Sequence, residues 1–422
     1  MGAAMVNEYA RWSGVRQYLP EITVLLLINA AVIGAVLVNP FALGLDFWAV
    51  KAAEIASFHI PGSNFYPIGP ALLCLPFFLV GLGSLGALFF YLNAGVVLYA
   101  LICRRIEDRL IARIALFSIL LNPYFFWLVV SSHDCVLQFF TLSLAFYLLI
   151  EARPVLFALA GILAATVRST DLFVFGGLAI LMFAMWRKSI WLLSPALYLF
   201  VAFGNLALYD SPSPSTNGGY NIFLGQHPLF AVAYPSYDID QFFETKGLSS
   251  PEHLFGMHRT PQTEAELDTR YREMGFSFAK DDPVRAAQNA LSKAALWLFN
   301  FQKVPEVSGK IYLEEGGHSI AIESLRGGKL LLGQMAYTLY KFVYNILFAV
   351  TIFYVCLRPS DFLSERHFFL ILPVFFVLPV VLLSFPDTRF KIVYEVMAVP
   401  AILLFAFRAA AQIVNRESAN RE

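Results

Sequence analysis

Ile22–Leu43 reads ITVLLLINAAVIGAVLVNPFAL, and Gly44–Leu72 continues GLDFWAVKAAEIASFHIPGSNFYPIGPAL. The first stretch carries no charge and is long enough to cross a bilayer, which takes about 20 apolar residues. The second places Asp46, Lys51, Glu54 and His59 within fourteen residues. A charge at mid-membrane costs roughly 2.5–3.5 kcal/mol on insertion scales, so such a group belongs at the surface or in a polar cavity. Two readings follow: an active site at the membrane surface, or an ordinary solvated loop.

The composition extends the first reading to the whole chain. Of 422 residues, 58% are hydrophobic and only 14% charged, against about 25% charged in soluble domains. With a mean hydropathy of +0.65, the apolar runs are too many for a buried soluble core. The chain is an all-α polytopic membrane protein. Its net charge is zero and it has no basic block, so no nucleic-acid partner is expected. Cys74, Cys103, Cys135 and Cys356 show neither CxxC nor metal-ligand spacing and read as small apolar residues in helices. The first apolar run exceeds a signal-peptide core and no small-residue cleavage site follows it, so a first span or signal anchor is expected.

Arg11 and Arg16 precede the first span, which puts the N-terminus on the cytoplasmic side and Asp46 outside. The run Tyr66–Gly83 is short and holds Pro67, Pro70 and Pro76; the next, Leu85–Cys103, ends in Arg104, Arg105, Arg109 and Arg113. If both crossed, the arginines would lie outside. Parity therefore predicts that the first of the two lies on, or dips into, the outer surface. Further runs near Ala112–Val130, Val136–Ile150, Val155–Val167, Leu172–Trp186, Ile190–Tyr209, Leu330–Val355, Phe368–Phe385 and Ile392–Phe407 alternate across the membrane. About ten spans result, with both termini inside. Residues 1–209 form an N-terminal transmembrane module whose first outer loop is 41–84. Residues 210–328 form an extracytoplasmic loop subdomain, and 329–422 the last spans and a cytoplasmic tail.

Within the outer segment, Thr263-Glu264-Ala265-Glu266 reads as a capping box opening a helix to about Phe278. Asp281-Asp282-Pro283 opens a second helix to about Phe301. Val284, Ala287, Leu291, Ala294 and Leu298 share one face of it, with Arg285 and Lys293 off that face. This helix is expected along the membrane or on the bundle, and all of 210–328 is expected outside.

The polar groups beside spans on the outer side include Asp46, Lys51, Glu54, His59, Tyr66, His133, Asp134, Arg168, Asp171, Asn217, His227, Lys293, Asp387, Arg389, Lys391 and Glu395. One acidic loop and dispersed cations suit an anionic head group held by Arg and Lys, with a carboxylate near the reacting atom. A lipid-phosphate donor fits such a face: its tail lies in the bilayer and its phosphate leaves without a general acid.

An Asp after the first span, the Tyr66–Pro70 segment before a Leu-rich run, and Gly81–Gly86 before the next span resemble the GT-C glycosyltransferases. The pattern is similar to the polyprenyl- and dolichyl-phosphate-sugar group (family 39-type), which includes protein O-mannosyltransferases and the aminoarabinose transferase of lipid A. Ala164–Arg168 resembles that group's Arg-ended fifth span. Asn217–Asn221 with Gly225 resembles the start of its large outer loop, and Asp387–Phe390 with Glu395 and Pro400 the entry to its last span.

The resemblance covers about Ile22–Phe407 as architecture. It implies a GT-C fold with outer juxtamembrane helices, and an inverting sugar transfer from polyprenyl phosphate to a glycan, lipid or protein acceptor. It implies Asp46 as general base; the bland alternative is an N-cap for Phe47–Ser57. Arg389, Arg168, Lys51 and His59 become candidates for the donor phosphate, and Glu54, Tyr66, Asn217 and His227 for acceptor or auxiliary roles. For Arg168 and Arg389 the alternatives are headgroup snorkelling or ion pairs with Asp171 or Asp387. His133-Asp134 reads as a helix-capping turn. Tyr66 and Trp48 fit an interface belt, and sugar stacking is compatible. The family often has adjacent acids in the first loop, whereas Phe47 follows Asp46; no cofactor is implied with certainty, and a divalent metal stays open.

The expected location is a bacterial inner or plasma membrane with an extracytoplasmic active site. Three other readings stand beside this one: an O-antigen-ligase-like transferase using lipid diphosphate, a sugar or lipid transporter (flippase), and a non-catalytic assembly factor. The transporter predicts charges or broken helices at mid-bilayer, whereas the spans read as nearly charge-free.

Overall fold

The computed structural model describes residues 17–38, 43–59, 61–132, 134–233, 261–299, 310–311, 320–321, 328–360, 365–384, 386 and 388–419, with the backbone alone at 328–334, 388–390 and a few other positions. His133 and Asp387 lie outside the described residues, as does the side chain of Arg389.

Among the described residues the regular structure is helical, apart from a two-residue antiparallel ladder, β1 Lys310–Ile311 with β2 Ile320–Ala321. In order come α1 (Leu19–Val38), a 3₁₀ turn (Gly44–Trp48), α2 (Ala49–Ala56), α3 (Gly69–Leu79), α4 (Gly83–Arg104), α5 (Arg109–Ser118), α6 (Pro123–Ser131), α7 (Cys135–Ile150), α8 (Pro154–Val167), α9 (Asp171–Trp186) and α10 (Leu193–Tyr209). Then follow α11 (Gly218–Gln226), α12 (Pro261–Asp281), α13 (Pro283–Phe299), α14 (Gly328–Leu357), α15 (Leu372–Phe376), α16 (Leu378–Leu383) and α17 (Thr388–Ala419).

Six described helical stretches are long and apolar enough to cross a membrane, and seven if α5 and α6 count as one span bent by 59°. The bend falls at Asn122-Pro123, where proline cannot donate to the preceding turn and Asn122 Oδ1 accepts from Phe125 N at 3.1 Å. Helices α7, α8 and α9 have 16, 14 and 16 residues. At 1.5 Å per residue they measure about 21–24 Å, short of the ~30 Å hydrocarbon core. Helix α3, with 11 residues, is shorter still and folds back on α4, where Tyr91 Oη donates to Leu73 O at 2.6 Å.

The bundle has two chemically distinct ends. At one, Arg104 pairs with Glu21, Arg105 with Glu151 at 2.6 Å and Arg408 with Glu365 at 2.9 Å. There His367 and Arg408 hold the Glu365 carboxyl down to about 2. The other end carries Asp46, α2, α11 and α12. Between them α17 runs through the middle, buried from Lys391 to Ala406. A helix buried on every side is a core helix, and this one, which also holds Lys391 and Glu395, organises its neighbours.

Candidate functional site

The loop that follows α1 folds onto the bundle through aromatic and glycine contacts. Phe47, Trp48 and Phe65 meet Tyr66 edge to face with centroids 4.9–6.2 Å apart. Gly69 lies against the Thr166 backbone so closely that a Cβ would sit 2.4 Å from Thr166 O. That contact sets the loop beside the end of α8, two residues from Arg168.

Asp46 is exposed on the 3₁₀ turn, and its Oδ1 accepts from the Ser84 hydroxyl at the start of α4. The N-cap position of α2 belongs to Trp48, which makes no side-chain cap, so Asp46 is not the cap of that segment. Lys51, on α2, is half-buried. It donates to Tyr66 O at 3.0 Å and stands 5.6 Å from the Trp48 ring. Burial lowers its pKa to about 8, against the opposing pull of Glu264 and Glu54. Glu54 is half-buried and His59 exposed.

Glu264 draws the outer helices onto this loop. Its Oε2 accepts from Asn64 N at 2.9 Å and Thr216 Oγ1 at 3.2 Å, and Thr216 N donates to Asn64 O at 2.8 Å. Helix α12 begins at Pro261, two residues before the expected cap Thr263, so its Glu264 serves the loop junction rather than opening the helix. Asp268 accepts from Gly219 N at 2.5 Å and pairs with Arg272. Its pKa is raised by burial, which those donors oppose. Phe65, Tyr220, Tyr271, Glu264 and Asp268 line a shallow pocket of about 220 Å³, counting its open mouth.

Asn217 Oδ1 accepts from Ser215 Oγ at 3.0 Å. His227 is buried between Phe223 and Phe278 and accepts from Leu229 N at 3.1 Å. Burial and the Arg285 charge lower its pKa. Both side chains order the α11 segment. Glycines bring that segment into place: a Cβ at Gly219 would lie 1.8 Å from Asp268 O, and one at Gly225 1.9 Å from Ser384 O.

Arg168 closes the ends of α7, α8 and α9 on the same side of the bundle. It is buried, donates to both Asp134 oxygens and reaches Gln138 Oε1 at 2.9 Å. Among the described residues its ion-pair partner is Asp134, not the Asp171 considered from the sequence. Asp171 instead accepts from Tyr394 Oη at 2.5 Å and Gln138 Nε2 at 3.2 Å. Asp134 occupies the N-cap position of α7 but makes no side-chain cap: Arg168 outcompetes the helix N–H groups for its carboxylate, since charged hydrogen bonds are the stronger ones.

Tyr394 links this network to a second one. Next to it, Glu395 Oε1 takes Lys391 at 2.7 Å and Lys341 from α14. Two cations thus share one carboxylate, all three nearly inaccessible. The expectation of nearly charge-free spans is corrected here, because Lys341 and Glu395 lie inside the apolar stretches Met335–Leu357 and Lys391–Ile413.

Helix α13 turns much of its apolar face outward. Val284, Ala287 and Leu291 are exposed, while Asn289, Lys293 and Trp297 turn inward. Asp282 Oδ1 caps its start through Arg285 N at 3.0 Å, as the sequence predicts.

The loop gathers Asp46, Lys51, Glu54 and Tyr66, and Gly69 sets it near Arg168. Ser84, Gln138, Tyr394, Asp268 and Lys341 were not singled out from the sequence. Lys341 alone had a readable signal, a lysine inside an apolar run. Among the described residues no group of three His, Cys, Asp or Glu is placed to hold a metal ion. Comparison with protein-family models, with characterised proteins and with solved structures finds no match.

Proposed function

We propose that the chain is a GT-C-type membrane glycosyltransferase that moves a sugar from a polyprenyl-phosphate donor to a glycan, lipid or protein acceptor, at the end of the bundle bearing Asp46. The observation that carries this reading is an exposed carboxylate that caps no helix, oriented by Ser84, with half-buried Lys51 on the next helix. Asp46 takes the acceptor hydroxyl proton. The acceptor oxygen then attacks the anomeric carbon, and the sugar–phosphate bond breaks with its electron pair on phosphate. Lys51, His59 and Arg389 attract that phosphate, and Arg168 shapes the adjoining wall through Asp134. Seven long stretches and the three short helices α7–α9 make up the ten crossings of this reading, with α3 as an outer juxtamembrane helix.

The test is release of polyprenyl phosphate by purified protein from a panel of polyprenyl-phosphate sugars, beside Asp46→Asn and Ser84→Ala. Asp46→Asn is expected to lose activity about 10²–10⁴-fold, the usual contribution of a general base, and Ser84→Ala to lose far less. An Asp46→Asn protein as active as wild type refutes the base assignment.

The buried Lys341–Glu395–Lys391 set favours one second reading, a lipid or sugar transporter, because charges within spans mark translocation pathways. Flux in proteoliposomes that survives Asp46→Asn and is lost in Glu395→Gln would decide for it.

A further inference from the structure

Helix α13 has 17 residues, about 25 Å at 1.5 Å per residue, and its contacts register its depth. Near its middle, Lys293 Nζ donates to Leu382 O at 3.1 Å, close to the outer end of the apolar stretch Arg366–Leu383. One turn on, Trp297 Nε1 donates to Val374 O at 2.7 Å. At its last residue, Phe299 O accepts from Asn345 Nδ2 at 3.2 Å, and the Phe299 ring stands 6.4 Å from Phe348. Val374 and Asn345 each fall near the middle of their own apolar stretch, Arg366–Leu383 and Met335–Leu357. Two independent spans therefore place the end of α13 at half depth.

The direction of α14 shows that α13 does not cross. Lys341 meets Glu395 and Thr351 meets Ile402 O, so α14 runs parallel to α17. Both descend from the Asp46 end to the arginine-rich end, where Arg408 pairs with Glu365. Helix α13 starts at the Asp46 end, beside α12, and α14 starts there again.

The side chains of α13 are distributed for a helix among lipids. Lys293, Asn289 and Trp297 face protein, while Val284 is 67% and Leu291 73% exposed, with the uncharged Gln288 and Ser292 beside them on the exposed side. A helix resting on a soluble surface would do the reverse. A backbone carbonyl at this depth has no water to donate to it, so a polar side chain set against one serves the backbone. Asn345, a polar residue in the middle of an apolar stretch, does so for Phe299.

We propose that α13 is a membrane-embedded helix that enters from the Asp46 end, reaches mid-depth at Phe299 against Asn345 and Val374, and presents Val284, Ala287, Leu291 and Ala295 to lipid acyl chains. The expectation that all of 210–328 stays outside the membrane is thereby revised for 283–299. The inference is independent of the transferase reading, since depth is measured without turnover.

The test is spin-label depth measurement on full-length protein in phosphatidylcholine–phosphatidylglycerol vesicles. Cys356, the exposed cysteine, is replaced by serine. A nitroxide is then placed singly at Val284→Cys, Leu291→Cys and Ala295→Cys, with Arg270→Cys on α12 as the water reference. All four positions are exposed, so the label does not disturb packing. The expected result is a ratio of oxygen to nickel-chelate broadening that rises from Val284 through Leu291 to Ala295. Ratios at Leu291 and Ala295 equal to that at Arg270 would put α13 in water and overturn the proposal. Exclusion of both probes at those positions would overturn it too, by showing protein rather than lipid on that face.

Discussion

Arg168 grips Asp134 with two guanidinium nitrogens, Nε to Oδ2 at 2.8 Å and Nη2 to Oδ1 at 3.0 Å, and both residues are buried. Removing one partner of such a pair leaves an uncompensated buried charge, which costs about 3–5 kcal/mol, whereas replacing both by apolar groups is often neutral. Arg168→Met and Asp134→Leu are each expected to lower the thermal unfolding midpoint in detergent sharply. The double variant is expected to unfold above either single one. Additive losses would show that the pair is not energetically coupled.

The Lys341–Glu395–Lys391 set predicts an asymmetry. Glu395→Gln leaves two buried lysines without their shared carboxylate and should cost about 3–5 kcal/mol. Lys341→Met leaves a one-to-one pair, Lys391 with Glu395 at 2.7 Å, and should cost much less. Chemical denaturation of the two variants side by side checks the order; equal losses would contradict it.

Lys51 gives the pH dependence. An ordinary lysine keeps its proton to about 10.5, and burial lowers Lys51 to about 8. Between those values the unfolded chain binds more protons than the folded one, so this group makes stability rise with pH across that window, and the burial penalty is complete below it. The charge available to a phosphate moves the other way and is lost above pH 8. Transfer is therefore expected to decline above pH 8. Lys51→Arg, whose guanidinium stays charged, should carry the declining limb to higher pH. A wild-type profile flat to pH 10 would remove Lys51 from the phosphate site.

Two glycines dock α11. At Gly219 and Gly225 a methyl group would strike backbone oxygens at 1.8 and 1.9 Å, so alanine forces the helices apart at a cost of about 1–3 kcal/mol or more. Gly204, on α10, has nothing within 4 Å of where a Cβ would sit, and Gly204→Ala is expected to leave stability unchanged or slightly raised. Hydrogen exchange at 218–226 should quicken in Gly219→Ala and Gly225→Ala and stay unchanged in Gly204→Ala.

Much of the architecture was legible along the chain because spanning helices need little beyond length and apolarity. The 3.6-residue pattern after Asp282 marked α13, and the proline-rich run before Gly83 appeared as the short α3. The outcome for α13 was not legible. Its apolar face reads the same whether it covers a core or meets lipid, and only tertiary contacts, Lys293 at Leu382 O and Trp297 at Val374 O, fix which side is in. Asp46 was legible as an isolated acid after the first span; its Ser84 partner, 38 positions on, was not.

The sequence by itself determined that this is a polytopic helical membrane protein and where its apolar stretches lie. Composition and local periodicity suffice for that, because the bilayer acts on each segment separately. Only the tertiary structure decided that Asp134 rather than Asp171 neutralises Arg168, that Lys341 and Lys391 share Glu395, and how far α13 descends. Those outcomes depend on which helices are neighbours and at what depth. Helix packing sets both, and it joins residues far apart in the chain.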